Sequence, residues 1–207
     1  MCNIYQVSAK RGTSQGVRGK VAAAVGKLSS AQVRISDPGV VVLADERVEI
    51  MRWGFARNFN PAINNARSDK LESGMWAEAF RVRRCVIPVS VFYEWGPGVG
   101  GRKQAYEFHE PDDDYLWIAG LWEPGEWELG CCYSMVTTAA SPVMAPIHAR
   151  MPAVLRAEEV PAFLDLSNPW VFRPFDGPLA VTPCESPLKR KSPPQDDPQG
   201  GLWDWRA

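Results

Sequence analysis

Residues 85–95 read CVIPVSVFYEW, an apolar and β-branched run that continues as far as a carboxylate, Glu94, between Tyr93 and Trp95. This composition predicts strand structure, and Pro88 indicates a sheet edge or a break. A carboxylate flanked by two aromatic side chains should be partly desolvated, which raises its pKa toward the range useful to a general acid–base. A salt bridge between Glu94 and a neighbouring arginine is the alternative, and this stretch alone does not choose between the two.

The segments on either side of this stretch predict a chain of mixed strands and helices. The predicted strands are 2–8, a hairpin of 39–43 with 48–53, a pair of 104–109 with 115–122, then 132–138, 151–155 and 179–183. The predicted helices are 17–28, 69–82 with Ser68 as N-cap, and 157–165 with Pro161 in the first turn.

Length and composition bound the class of protein. The 207 residues, 45% of them hydrophobic, predict one domain over residues 1–184, followed by a disordered tail rich in Ser, Pro, Lys and Asp over 185–207. No run of 18 apolar residues and no signal peptide pattern is present, so we expect a cytoplasmic monomer that does not bind membranes. The five cysteines lack CxxC spacing, which argues against a disulfide framework. The two histidines leave little material for a metal centre, and we expect no metal and no cofactor.

The charge pattern is compatible with a nucleic-acid partner. The net charge of −1 does not indicate such a partner, but a local groove can be basic on a neutral protein, and Arg67, Arg81, Arg83 and Arg84 are clustered in sequence. Most of the nine tryptophans are assigned to the core. One or two could stack on unpaired bases, and Trp53 is the candidate.

Cys2 carries unusual chemistry if Met1 is removed, because an α-amine and a thiol then stand on adjacent carbons. The reference pKa values are about 7.7–8.0 for the amine and about 8.5 for the thiol, so both need little help to act as nucleophiles. A 1,2-aminothiol reacts with an aldehyde to give an imine and then a five-membered thiazolidine. The alternative is that cysteine is the second residue by accident.

Two further polar groups are held by local structure. Asn65 and Arg67 precede a predicted helix N-terminus, which is a natural place for anion contact, although an ordinary capping loop would look the same. His148 lies in a short segment between Pro146 and Pro152, so its backbone is restrained. A polar surface histidine is the alternative interpretation.

Four motifs together resemble the SOS response-associated peptidase (SRAP) family. They are Met1-Cys2, Asn65-Ala66-Arg67, Phe92-Tyr93-Glu94-Trp95 and His148-Ala149-Arg150-Met151-Pro152, and the resemblance extends from Cys2 to about Thr182. It implies an α+β fold with a curved, largely antiparallel, barrel-like sheet and a few flanking helices. It also implies a positively charged groove for single-stranded DNA.

The resemblance implies covalent capture of abasic sites, in which Cys2 forms a thiazolidine DNA–protein crosslink and Met1 is removed by the protein itself. Asn65 would hydrogen-bond the sugar or the crosslink, Glu94 would be the acid–base group, and His148 would assist proton transfer and reversal. The implied DNA-binding residues are Arg67, Trp53 and Arg150.

The chain departs from the family pattern in two places. The common opening Met-Cys-Gly-Arg-Phe is here Met-Cys-Asn-Ile-Tyr, and Asn-Ala-Arg-x-Glu is here Asn65-Ala66-Arg67-Ser68-Asp69. These differences bear on DNA affinity and substrate preference more than on the chemistry. Two other functions use the same residues: an N-terminal nucleophile hydrolase or cysteine peptidase with Cys2 as nucleophile, and a non-catalytic single-strand binder.

Overall fold

The structure is a computed structural model that describes residues 2–9, 15–125 and 130–188. Met1 and residues 189–207 lie outside the described residues, and so do the predictions that concern methionine removal and most of the tail. The assignment of residues 1–184 to one domain stays a prediction.

The described residues form fifteen strands and three α-helices. In chain order the strands are β1 (Ile4–Gln6), β2 (Gln32–Arg34), β3 (Pro38–Val42), β4 (Val48–Trp53), β5 (Phe55–Arg57), β6 (Asn60–Ile63), β7 (Asn65–Arg67), β8 (Arg84–Val89), β9 (Val91–Pro97), β10 (Lys103–His109), β11 (Leu116–Pro124), β12 (Cys131–Ala139), β13 (Arg150–Pro152), β14 (Val154–Leu155) and β15 (Ala180–Cys184). The α-helices are α1 (Gly16–Val25), α2 (Ala77–Val82) and α3 (Val160–Leu164), and the 3₁₀-helices are Ser68–Lys70, Gly74–Trp76, Val99–Gly101 and Ala157–Glu159.

Five strands close into a barrel. Around it β12 pairs with β4, β4 with β3, β3 with β8, β8 with β11, and β11 with β12 again; only the β4–β12 pairing is parallel. Every residue of β8 and four of the five in β3 are buried, as expected for Val- and Ile-rich strands that fill a small barrel. The predicted α+β fold with a curved, largely antiparallel sheet is therefore confirmed.

A second, fully antiparallel sheet has the strand order β15-β10-β9-β1-β2. The chain passes from the barrel into this sheet at Ser90, between β8 and β9. The pairing of β1 with β9 sets Tyr5 opposite Phe92 and Gln6 opposite Val91. This pairing brings the start of the chain beside the strand that carries Glu94.

The structure corrects two predictions about strands. Strands β10 and β11 occupy the predicted positions, but they belong to different sheets and do not pair with each other, because the link over residues 110–115 carries the chain from one sheet to the other. Pro88 does not break the strand: it pairs with Trp117 of β11 and β8 continues to Val89, while on the side of β3 the paired residue is Val86. The hairpin of β3 with β4 is confirmed.

The helix predicted over 69–82 is broken. Its first part is two 3₁₀ turns, and only Ala77–Val82 is α-helical. Gly74 has a φ of 60°, a left-handed conformation that a continuous right-handed helix does not contain. Ser68 does not cap the segment, because Arg67 precedes the first turn without a side-chain cap bond. Leu71, Trp76 and Ala79 are nevertheless buried, as their spacing predicts.

The longest α-helix of the described residues, α1, has ten residues. No helix in the described part of the chain is long and apolar enough to cross a bilayer.

Candidate functional site

Cys2 is fixed by hydrogen bonds on both its backbone and its thiol. The side-chain amides of Asn64 and Asn65 each donate to the Cys2 carbonyl oxygen, with nitrogen–oxygen distances of 3.0 Å. The thiol donates to the carbonyl of Ile4 at 3.3 Å, and the residue is only 1% exposed. The position of Cys2 is thus determined by two neighbouring asparagines, of which only one was predicted.

The two asparagines are held by strand β12 and by Trp53. Strand β7 runs parallel to β12, with Asn65 opposite Met135. The Asn64 carbonyl accepts from the Met135 backbone amide and from Trp53 Nε1, both at 3.0 Å. Oδ1 of Asn65 is buried and has no hydrogen-bond partner among the described residues. A buried acceptor of this kind favours a ligand that donates a hydrogen bond.

Asn64 was missed by sequence reasoning because the motif that singled out Asn65 is Asn65-Ala66-Arg67, which does not include it. Strand β7 begins at Asn65, and Asn64 lies just outside it. The repeated Asn-Asn was the only signal available.

Glu94 lies close enough to Cys2 to influence its ionisation. The carboxylate is in β9 and 3% exposed, so the desolvation predicted from its aromatic neighbours is confirmed. Burial, reinforced by the negative charge of Glu94, raises the pKa of the Cys2 thiol to about 12. The thiol is therefore protonated at neutral pH, and its proton must be removed during any reaction.

His148 is held on the same side of β9 as Glu94. Its Nδ1 lies 2.8 Å from the Arg150 carbonyl oxygen and 3.0 Å from the Arg150 backbone nitrogen, which sets the orientation of the ring. Residues two apart on a strand share a face, so Glu94 and Gly96 point the same way. A side-chain carbon on Gly96 would lie 3.0 Å from Cα of Ile147, so the His148 segment rests directly on that face.

Two guanidinium groups flank the site beside Asn65. Arg67 makes two hydrogen bonds to Asp69, at 3.0 and 2.7 Å, and Arg150 lies 3.7 Å from the same carboxylate. Arg150 also donates to the Thr137 carbonyl at 2.5 Å. The hydrogen bond from Arg67 lowers the pKa of Asp69 to about 2, so this cluster keeps one net positive charge. Because the helix after Arg67 is broken, anion contact here depends on these side chains and not on a helix terminus.

Trp53 is not a stacking platform for bases, and this prediction is wrong. The indole is fully buried between Tyr5, at a ring distance of 5.1 Å, and Tyr133, at 6.4 Å. Trp53 is the last residue of β4, and its side chain packs into the core between the two sheets' tyrosines. Its contribution to the site is indirect, through the hydrogen bond to the Asn64 carbonyl.

The fold and the site define a class: a small β-barrel protein whose Cys2 is held by two amides beside a buried carboxylate, with arginines at the edge. No three His, Cys, Asp or Glu side chains of the described residues are grouped so as to hold a metal ion. The model of the family described as SOS response associated peptidase (SRAP) matches residues 1–180, and the chain belongs to this family.

Relatives and solved structures agree with this assignment. The chain is 32% identical over 180 residues to the chicken abasic site processing protein HMCES, covering 69% of this chain and 53% of the relative. It is 27% identical over 132 residues to a Saccharomyces cerevisiae abasic site processing protein, covering 58% of this chain and 36% of the relative. The chain thus spans about half the length of these two relatives or less. A crystal structure of a Bacteroides thetaiotaomicron protein has the same fold, with a TM-score of 0.72 at 19% identity over 88% of this chain and 91% of that one.

Proposed function

We propose that this chain processes abasic sites in single-stranded DNA, and that it does so by covalent capture through Cys2 once Met1 has been removed. The observation that carries the proposal is the fixation of Cys2 by Asn64 and Asn65 beside the buried Glu94. The relatives named abasic site processing protein support abasic sites as the substrate.

The reaction begins at the α-amine. Burial favours the protonated form of the thiol, whereas an α-amine with a reference pKa of about 8 is partly neutral at neutral pH. The amine attacks the aldehyde of the ring-opened abasic sugar, a carbinolamine forms, and loss of water gives an imine. The thiol then adds across the C=N bond, its sulfur bonding to carbon and its proton passing to nitrogen, which closes the thiazolidine.

The raised thiol pKa also argues against the cysteine peptidase alternative. A cysteine that attacks an amide without prior imine formation needs a lowered pKa to supply thiolate. Burial of Cys2 has the opposite effect. Autocatalytic removal of Met1 remains part of the proposal as a single event that prepares the terminus, with water and not the Cys2 thiol as the nucleophile.

The surrounding residues have separate roles in this mechanism. Glu94 takes a proton from the attacking amine and delivers it to the departing hydroxyl, and at ring closure it transfers the thiol proton to the nitrogen. His148 assists proton transfer when the ring reopens. Oδ1 of Asn65 accepts a hydrogen bond from the sugar or from the amine. Arg67 and Arg150 contact backbone phosphate, so binding should weaken as salt rises.

The test uses a single-stranded oligonucleotide with one abasic site, a duplex of the same sequence, and three proteins: wild type, Cys2→Ala and the form that retains Met1. We expect wild type alone to give a heat-stable adduct on a denaturing gel, preferentially with the single strand. Cys2→Ala keeps the α-amine, so its adduct should appear only after borohydride reduction of the imine. A heat-stable adduct from the Met1 form, or from Cys2→Ala without reduction, would exclude the mechanism.

A further inference from the structure

A cleft distant in sequence from Cys2 has an unusual lining. Its volume is about 530 Å³, and it lies between the link that precedes β11 and the segment that follows β14. Tyr115 and Trp117 form part of its wall and are 2% and 4% exposed. No residue of the Cys2 site lines it.

Two buried polar atoms of this wall have no hydrogen-bond partner among the described residues: Oη of Tyr115 and Nε1 of Trp117. Buried polar groups are nearly always hydrogen-bonded, so two adjacent exceptions that line one cleft indicate a ligand. The indole nitrogen is a donor only, so the ligand must carry an acceptor such as a peptide carbonyl.

The cleft also has an excess of negative charge. Five carboxylates line it, against the single guanidinium of Arg156, which pairs with Asp176. Within the described residues Glu110, Asp112 and Glu158 form no ion pair. Partial burial together with Asp113 and Asp112 raises the pKa of Glu110, as expected where carboxylates are close to one another. The cleft therefore favours a cation.

The protein already contains one guanidinium bound in this manner. Arg18 of α1 makes two hydrogen bonds to Asp113, at 2.5 and 2.7 Å, and its guanidinium carbon lies 5.4 Å from the centroid of the Trp117 ring. The pair shows that this wall accommodates a basic side chain against a carboxylate and an aromatic face. The remaining carboxylates of the same loop offer further positions of this type.

An apolar cavity adjoins the cleft across Trp117. Its volume is about 270 Å³, and Val17, Val42, Val160 and Leu164 are among its lining residues. Trp117 lines both cavities, so a ligand that occupies one is placed to reach the other. A free polyamine would satisfy the carboxylates but offers neither an acceptor for the indole nor an apolar group for this cavity.

We propose that this cleft docks a segment of a partner protein in which an apolar residue stands next to a lysine or arginine. The apolar side chain fills the smaller cavity, the basic side chain reaches Glu110 and Asp112, and a peptide carbonyl accepts from Trp117 Nε1. This site is separate from the proposed DNA chemistry and does not depend on it.

The test uses a fluorescein-labelled nonapeptide with two leucines, each beside a lysine, in a serine and glycine background, titrated by fluorescence anisotropy at about 0.15 M salt. We expect saturable binding that Glu110→Gln/Asp112→Asn weakens at least about fivefold. The matched control Glu72→Gln/Glu185→Gln removes two exposed charges elsewhere and should change the affinity less than about twofold. Crosslinking by Cys2 should be the same in all three proteins.

A measurement on the wild type keeps the test independent of any variant. The indole N–H resonance of Trp117 should shift on peptide addition in a nitrogen–proton correlation spectrum. The proposal is overturned if a peptide with glutamate in place of lysine binds equally well, if the acidic double variant binds unchanged, if the indole resonance does not move, or if spermidine displaces the peptide completely by binding more tightly.

Discussion

At the level of single residues, the proposed role of Glu94 as the acid–base group has a direct test. Loss of a general acid–base slows a reaction by roughly 10²-fold or more, so we expect Glu94→Gln to reduce the single-turnover rate of crosslinking by that amount. Affinity for an intact single strand should hardly change, because the substitution is nearly isosteric. Glu107→Gln on the neighbouring strand β10 is the control, and its rate should match wild type. Equal rates for the two variants would remove Glu94 from the mechanism.

Substitution of Asn64 tests whether crosslinking needs both hydrogen bonds to the Cys2 carbonyl oxygen. Removing one net hydrogen bond of about 1–1.5 kcal/mol corresponds to roughly a tenfold change in rate, so Asn64→Ala should slow crosslinking by about that factor. Asn65→Ala should cost more, since it also removes the buried acceptor Oδ1. Asn60→Ala, an exposed position before the site, serves as the control. If Asn64→Ala crosslinks at the same rate as Asn60→Ala, the hydrogen bond from Asn65 alone is enough to hold Cys2.

At the level of elements, strand β9 organises the site. It pairs with β1, the strand that directly follows Cys2. One face of β9 carries both Glu94 and the contact between Gly96 and Ile147. Glu94 and the His148 segment are distant in sequence, and both are therefore positioned by β9, where Gly96 leaves room for Ile147.

This arrangement predicts the effect of Gly96→Ala. The added carbon would lie 2.9–3.1 Å from atoms of Ile147, two of them backbone, so the His148 segment must move. Overpacking of this kind typically costs about 1–3 kcal/mol in the free energy of unfolding, measured by urea denaturation. We also expect slower crosslink reversal, as for His148→Ala.

The control for this change is Gly26→Ala. There the added carbon would be 3.6 Å or more from its neighbours, with an ordinary helical φ, so stability should be unchanged or slightly higher. If Gly96→Ala behaves like Gly26→Ala in both stability and reversal, β9 does not position His148.

At the level of the whole molecule, the core buries several thiol and phenol groups that are protonated in the folded protein. Burial raises the pKa of the Cys2 thiol to about 12 from 9.0, and it also raises the pKa values of Cys85, Tyr5 and Tyr133. The hydroxyls of Tyr5 and Tyr133 hydrogen-bond each other at 2.5 Å.

The buried groups predict alkaline instability. Below about pH 7 they are protonated in both states and have no effect on the pH dependence of stability. Above the unfolded pKa of each group, the unfolded state loses a proton that the folded state keeps, so the free energy of unfolding falls as pH rises. The decrease should approach about 1.4 kcal/mol per pH unit for each group, measured by urea denaturation under reducing conditions between about pH 8 and 11.

The double variant Tyr5→Phe/Tyr133→Phe identifies the source of this effect. Removing both hydroxyls leaves no unpaired partner, so stability at pH 7 should change little, while the alkaline slope should become shallower. Either single variant should be less stable than the double one, since it leaves one buried hydroxyl unpaired. A wild-type stability that stays constant up to about pH 11 would contradict the prediction.

The sequence alone determined most of the local structure and was enough to propose the chemistry. The alternation and branching of apolar residues predicted the strands β1, β3, β4, β12 and β15 near their observed positions, because such patterns reflect which side faces the core. The residue types at Cys2, Asn65, Glu94 and His148 indicated a reactive cysteine with proton-transfer partners. Side-chain chemistry is a local property, so a single chain is enough to propose it.

Only the tertiary structure decided which elements meet. Periodicity does not say which strands pair, so β10 and β11 were assigned to each other although the fold places them in different sheets. An aromatic residue at the end of a strand can face solvent or core, and the barrel buries Trp53. The amide of Asn64 reaches Cys2 because β12 holds β7 beside the start of the chain, a contact between residues 62 positions apart. Such contacts depend on the packing of the whole chain, which local sequence patterns do not encode.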